Sequence, residues 1–158
     1  MGDTDPDRLR DLYIMVGMIT LGWARVENTL TRIIGVINYY AGPFKGYDEP
    51  PVAMKRKLVF LRLALRQVPV FHILQDDGRA LTGRLGALAH RRNDLVHNAA
   101  WELEDGNHQL VAITVRSGQY AVEYHRFSQA DAVRLNAEIA ELHQDAEVFF
   151  DRVCKVFS

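Results

Sequence analysis

The sequence predicts a mainly α-helical bundle of four to five helices, with a small antiparallel β meander inserted before the C-terminal helix. Two patterns predict it. Apolar residues recur at three- and four-residue spacing along most of the chain, as in helices that bury one face. Between about residues 99 and 126 the apolar period changes to two, and "DGN" and "SG" interrupt the pattern as turns do. Residues 1–158 are therefore expected to form one domain that carries a β-hairpin insertion.

The composition is that of an ordinary soluble domain. Of 158 residues, 48% are hydrophobic and 25% are charged, and the formal net charge is −1. The absence of a basic excess argues against a long footprint on duplex nucleic acid, so any nucleic-acid contact is expected to be local. We expect no membrane span, since no run of about 18 uncharged apolar residues occurs. The polar, acidic start is unlike a secretory signal, and the single cysteine, Cys154, favours a reducing cytoplasm.

The first helix is predicted over residues 6 to 40. Asp5 followed by Pro6 indicates an N-cap with proline in the first turn. Three glycines within the helix lower its intrinsic stability, so we expect them to let a partner helix approach closely: Gly17, Gly22 and Gly35. The predicted buried stripe comprises Leu12, Val16, Ile19, Trp23, Leu30, Ile34 and Ile37.

The second helix is predicted from near Pro51 to about Gln67. It contains the most basic run of the protein, which comprises Lys55, Arg56, Lys57, Arg62 and Arg66. Two interpretations of this run stay open. The more common interpretation of such a run is a solvated helix face. The more specific interpretation is a surface that contacts RNA.

A third helix is predicted after Pro69, and the sequence leaves open an interruption at "QDDG". It ends in or near "AHRRNDLVHNAAW", residues 89–101. His108 and His125 fall in the hairpins and are expected to face solvent. Ser128 opens the last helix, with Asp131 as its capping-box partner. The buried stripe of that helix is predicted to comprise Leu135, Ile139, Leu142, Ala146, Phe149 and Val153.

One acid and one base lie inside apolar stripes. At about 100° per residue, Glu27 falls about 40° from Trp23, and Arg92 falls between two leucines of the third helix, with Arg91 turned towards solvent. An isolated buried charge costs several kcal/mol, so we predict that Glu27 and Arg92 pair where the first and third helices pack. The pair could be purely structural, or Glu27 could orient the guanidinium in a cleft for a ligand phosphate.

The segment "RRNDLVH" gathers three side chains suited to phosphate chemistry. His97 can exchange protons near neutral pH, Arg92 can stabilise developing phosphoryl charge, and the Asn93 amide can hold a hydroxyl or phosphate oxygen. On an uninterrupted helix, Arg92 and His97 would diverge by about 140°. They can therefore share a cleft only if the helix ends or distorts between them, or if a second subunit supplies one of them.

This segment resembles the R-N-x-x-x-H form of the R-x(4-6)-H motif of the HEPN superfamily, small helical domains of bacterial toxin–antitoxin and defence systems. The match covers Arg92, Asn93 and His97. The upstream "WARVENTL", with Trp23 and Glu27, is similar to the opening helix of several bacterial HEPN-like families, which gives Glu27 a supporting place in the site.

The resemblance extends over roughly residues 6 to 98 and 128 to 157. Many HEPN domains are metal-independent endoribonucleases that act as dimers. The resemblance therefore implies attack of a ribose 2'-hydroxyl on the neighbouring phosphate, with His97 as general acid or base, Arg92 holding the phosphate and Asn93 positioning it. It also implies RNA as substrate, a homodimer, no cofactor, and an antitoxin as a further candidate partner.

Other interpretations stay open. Some HEPN domains have lost catalysis, so the main alternative is a catalytically inactive HEPN-like module that binds a partner or dimerises. A third is a helical domain in which a Glu27–Arg92 pair is only structural. A zinc site at His90 and His97 is disfavoured because their spacing has no acidic or cysteine companion. Trp101, like the tryptophan of the first helix, is expected in the core rather than stacked on a base.

Overall fold

The computed structural model describes residues 6–42, 47–103, 107–116 and 118–158. The predicted mainly α-helical bundle with a small meander before the last helix is confirmed. The elements are α1 (Pro6–Ala41), α2 (Met54–Gln67), a 3₁₀ helix (Pro69–Leu74), α3 (Gln75–His97), β1 (Ala99–Glu102), β2 (His108–Arg116), β3 (Gln119–Phe127) and α4 (Gln129–Val156).

Two helix bounds differ from the expectation. Helix α2 begins at Met54 rather than near Pro51. The third helical region starts as a 3₁₀ helix and then runs through "QDDG" without interruption, with Asp76 and Asp77 in the first turn of α3. Carboxylates are favourable there because they face the positive end of the helix dipole.

The two longest helices, α1 and α4, make the main helix–helix interface. All six residues of the predicted α4 stripe are buried. A Cβ added at Gly22 would lie 3.2 Å from Ile139 Cγ2, so this glycine permits the close approach. At Gly17 and Gly35 an added Cβ would meet nothing within 4 Å. Within this chain the expectation of close helix packing is therefore confirmed for Gly22 alone.

Among the described glycines, one in the first turn of α3 has the least space for a side chain. A Cβ at Gly78 would overlap Leu65 Cδ1 of α2 and would lie 3.2 Å from Phe149 Cζ of α4. Three helices converge at this point, so the residue is small because no space remains for a side chain.

The three strands form one antiparallel sheet in the order β1-β2-β3. His108 lies opposite Phe127, and Leu110 lies opposite His125. His108 and Leu110 are both buried because alternate residues of β2 face the helical bundle. The expectation that His108 faces solvent is therefore wrong, since its exposure is only 7%, whereas His125 is exposed as predicted.

The capping box of α4 is confirmed. Ser128 Oγ accepts a hydrogen bond from the Asp131 backbone N–H at 3.1 Å, and Asp131 Oδ2 accepts one from the Ser128 N–H at 3.0 Å. Ser128 Oγ also donates to Asp131 Oδ2 at 2.7 Å, and this bond together with the one from the Ser128 N–H lowers the pKa of Asp131 below its usual range. The predicted N-cap at Asp5 and the side chain of Trp101 lie outside the described residues.

Across the described residues, no single helix has both the length and the apolarity needed to cross a membrane. Helix α2 and the helical segment after it satisfy those criteria only together, as a pair bent by 112°.

Candidate functional site

The last turns of α3 carry the three predicted site residues. Arg92 is half-buried, on the face that also carries the buried Leu88 and Leu95, whereas Asn93 and His97 are exposed. Helix α3 continues to His97, so it does not end between the arginine and the histidine. Because five residues turn a helix by about 140°, the two side chains leave α3 in different directions. One chain alone therefore does not bring Arg92 and His97 together.

The Arg92 guanidinium keeps unused hydrogen-bond donors. Its Nη1 donates to Asn93 Oδ1 at 3.0 Å, while its Nε is buried and has no acceptor among the described residues. No carboxylate of the described residues lies within ion-pair distance of it. The neighbouring Arg91 faces outward, as predicted, and pairs with Glu138 of α4. Of the two adjacent arginines, Arg92 is thus the one without a countercharge in the described part of the chain, and its guanidinium donates to an amide instead.

The predicted ion pair between Glu27 and Arg92 is wrong. Glu27 instead accepts a hydrogen bond from Trp23 Nε1 at 2.9 Å, one helical turn earlier. The Trp23 side chain is buried, and its indole N–H needs an acceptor that a carboxylate on the same face supplies. Glu27 therefore supports the packing of α1 and does not orient the guanidinium.

Lys57 belongs to the charged run of α2 and is nevertheless buried. Its side chain is 8% exposed, and its Nζ donates to Thr31 Oγ1 at 2.9 Å. Thr31 in turn donates to the backbone carbonyl of Glu27 at 2.8 Å. The sequence did carry a signal, because Lys57 lies three and four residues before Phe60 and Leu61, which are both buried.

A second polar cluster joins α1 to α4 around Glu147. Its carboxylate accepts from the buried Thr29 hydroxyl and from Arg32 Nη1, which lies 3.0 Å from Oε1, and His143 Nε2 lies 3.5 Å away. The Thr29 hydrogen bond and the Arg32 charge hold the pKa of Glu147 below its ordinary value. Since its oxygens are already occupied, this carboxylate ties two helices together rather than serving a ligand.

Metal-ligating side chains are dispersed in the described ranges. No group of three or more His, Cys, Asp or Glu side chains gathers there as a metal would require. His90 Nε2 lies 3.8 Å from Asp94, one turn along α3, and forms a single ion pair when protonated.

Comparison with protein-family models, with curated proteins and with solved structures gives no match. Among the described residues, Arg92, Asn93 and His97 in the last turns of α3 form the candidate functional site.

Proposed function

We propose that this protein is a HEPN-like metal-independent endoribonuclease of toxin–antitoxin or defence type. The observation that carries the proposal is the Arg92 guanidinium, which has no carboxylate partner among the described residues and is held by Asn93 within the R-N-x-x-x-H segment. A partly desolvated guanidinium with free donors is a strong site for a phosphate oxygen. The free cysteine Cys154 agrees with action in a reducing cytoplasm.

In the proposed reaction, the ribose 2'-oxygen attacks the adjacent phosphorus and the bond from phosphorus to the 5'-oxygen breaks. His97 takes the proton of the 2'-hydroxyl while water protonates the leaving 5'-oxygen, or the two exchange these roles. Arg92 stabilises the charge that develops on the non-bridging oxygens, and Asn93 fixes the guanidinium. The products are a 2',3'-cyclic phosphate and a free 5'-hydroxyl.

The proposed site is shared between two chains. Arg92 and His97 leave α3 in directions about 140° apart, so His97 must act on a phosphate held by Arg92 of a second copy. A two-fold homodimer repeats this arrangement and creates two equivalent sites.

A catalytically inactive binding or dimerisation module is the second candidate. The observation that favours it is the uninterrupted course of α3 to His97, which separates the guanidinium from the imidazole in each chain. In that case Arg92 would still bind a phosphate group, and an antitoxin or another partner would be the ligand of the dimer.

Incubation of the purified protein with total RNA in the presence of a chelator tests the proposal. We expect cleavage by the wild type and a loss of about 10²-fold or more in His97→Ala, the usual contribution of a general acid or base. His90→Ala is the matched control, because this histidine lies on the same helix with a side chain that is 82% exposed. Cleavage unchanged in His97→Ala would remove His97 from the mechanism, and RNA binding without cleavage by the wild type would favour the inactive module.

A further inference from the structure

We propose that one face of α2, formed by Lys55, Arg62 and Arg66 and called here the cationic track, binds the phosphate backbone of RNA. The identity of the polyanion rests on the proposed function. The evidence for the track is the charge of its side chains, the packing of Arg62 against α3 and the direction in which α2 runs. None of these observations depends on catalysis.

The three cations share one side of the helix. Lys55, Val59, Arg62 and Arg66 are exposed and fall within an arc of about 60°, opposite the buried face of α2. The sequence of α2, "MKRKLVFLRLALRQ", contains no acidic residue. Over its 14 residues this helix therefore presents positive charge with no countercharge of its own.

The arginines that link α3 to α4 differ from those of the track, because each of them pairs with a carboxylate of the other helix. These pairs are Arg84–Asp145, Arg91–Glu138 and Arg152–Asp77. In contrast, no carboxylate in the described part of the chain lies within ion-pair distance of Lys55, Arg62 or Arg66. The net charge of −1 does not reveal that the paired arginines and the cations of the track lie on different surfaces. Positive charge left unpaired on one face favours an anionic partner.

The Arg62 guanidinium is fixed in place before any ligand binds. Its Nε donates to Thr82 Oγ1 at 3.2 Å, and its Nη2 lies 3.4 Å from the Thr82 carbonyl oxygen. Thr82 is fully buried and its hydroxyl donates to the Arg79 carbonyl, so the anchor is rigid. Arg62, Arg66 and Arg79 line one groove between α2 and α3, of about 190 Å³. A preorganised guanidinium loses less side-chain entropy when it binds a phosphate.

The track leads towards the proposed active site. Arg62 contacts Thr82, and a Cβ at Gly86 would lie 3.9 Å from Leu58, so earlier residues of α2 meet later residues of α3. Going from Arg66 to Lys55 therefore approaches the end of α3 that carries Arg92. The twelve residues from Lys55 to Arg66 span about 16 Å, enough for a few nucleotides. The exposed stripe carries no aromatic residue, so contacts to the backbone rather than base stacking are expected.

A titration with a labelled 2'-O-methyl RNA oligonucleotide tests the track, because this probe cannot undergo attack by its own 2'-hydroxyl. We expect Arg62→Gln/Arg66→Gln to raise Kd about tenfold or more at low salt. The slope of log K against log salt should fall by about 1.4, because each phosphate of a single strand that a cation neutralises adds about 0.7 to the slope. The control Arg84→Gln/Arg152→Gln removes the same charge from paired arginines and should keep the wild-type slope.

Lys55→Gln/Arg66→Gln is the second variant. Neither side chain makes a hydrogen bond or ion pair within the described residues, so these substitutions do not put folding at risk. The same fall in slope is expected. An unchanged affinity and slope in both variants would overturn the track even if cleavage that depends on His97 persists. If both variants show the expected salt slopes but RNA cleavage does not depend on His97, only the proposed reaction is overturned. Tighter binding of polyglutamate than of RNA would also overturn the inference.

Discussion

Glu147 holds α4 against the polar side of α1. Because the Thr29 hydrogen bond and Arg32 lower its pKa below the ordinary 4.5, its stabilising effect is present above the pKa of the unfolded chain and is lost as the pH falls through the folded value. We expect Glu147→Gln to lower the free energy of unfolding at pH 7. The difference from the wild type should shrink as the pH falls below 4.5. Urea unfolding at a series of pH values measures it.

Glu141→Gln is the control for this prediction. Its carboxylate lies 3.7 Å from Arg84 and its side chain is 71% exposed. An exposed ion pair of this kind contributes little, so the variant should remain within about 0.5 kcal/mol of the wild type. A deficit in Glu147→Gln that stays the same from about pH 7 to about pH 3 would contradict the assigned role of the carboxylate.

The Arg92→Met variant distinguishes a ligand-binding role of Arg92 from a structural role. The guanidinium has no carboxylate partner in the described structure and a buried Nε without an acceptor, so its removal relieves an unsatisfied polar group. We therefore expect the thermal midpoint to change by a few degrees at most, while RNA cleavage is lost. Thermal unfolding and a cleavage assay on the same sample check both. Destabilisation by more than about 3 kcal/mol would instead assign Arg92 to the fold.

For single residues, the sequence predicts the helix face on which a side chain lies better than it predicts the hydrogen-bond partner of that side chain. Glu27 does lie beside Trp23, but its carboxylate takes the nearest buried donor rather than an arginine on another helix. Lys57 could have been placed by its spacing from buried neighbours. The Thr29–Glu147 contact could not, because 118 residues separate the two positions and no local pattern records such a distance.

Among the helices, the contact of α3 with α2 and α4 gives the sharpest prediction. Gly78→Ala should destabilise the protein by about 1–3 kcal/mol, because the added methyl group overlaps Leu65 and presses on Phe149. Gly83→Ala, five residues further along α3, should stabilise by about 0.5–1 kcal/mol, since its Cβ meets nothing within 4 Å. Urea unfolding of both variants measures the two values, and a change of the same sign in both would contradict the packing.

The bounds of most elements follow from the hydrophobic period and the capping residues. Ser128 and the stripe that begins at Leu135 predict α4 closely. The end of α3 is harder to place from the sequence, because the switch to strand period at Ala99 allows an earlier stop. The burial of Leu95, seven residues after Leu88, continues the apolar face and explains why the helix extends to His97.

At the scale of the whole molecule, the positions of the charges cannot be derived from the amino-acid composition. A net charge of −1 predicts only local contact with nucleic acid. In the described structure, the arginines that link α3 to α4 pair with carboxylates, whereas no described carboxylate lies within ion-pair distance of the proposed cationic track on α2. The arginine–carboxylate pairs that join α3 to α4 link residues 47 to 75 positions apart, so they cannot be derived from a local sequence pattern.

The proposed active site also belongs to this scale, because it needs two copies of the chain. Subunit mixing tests that claim most directly. Arg92→Met and His97→Ala should each be inactive alone. If Arg92 of one chain works with His97 of the other, each mixed dimer regains one intact site, and an equimolar mixture should recover about a quarter of wild-type RNA cleavage. A mixture that forms dimers and stays inactive would contradict the shared site.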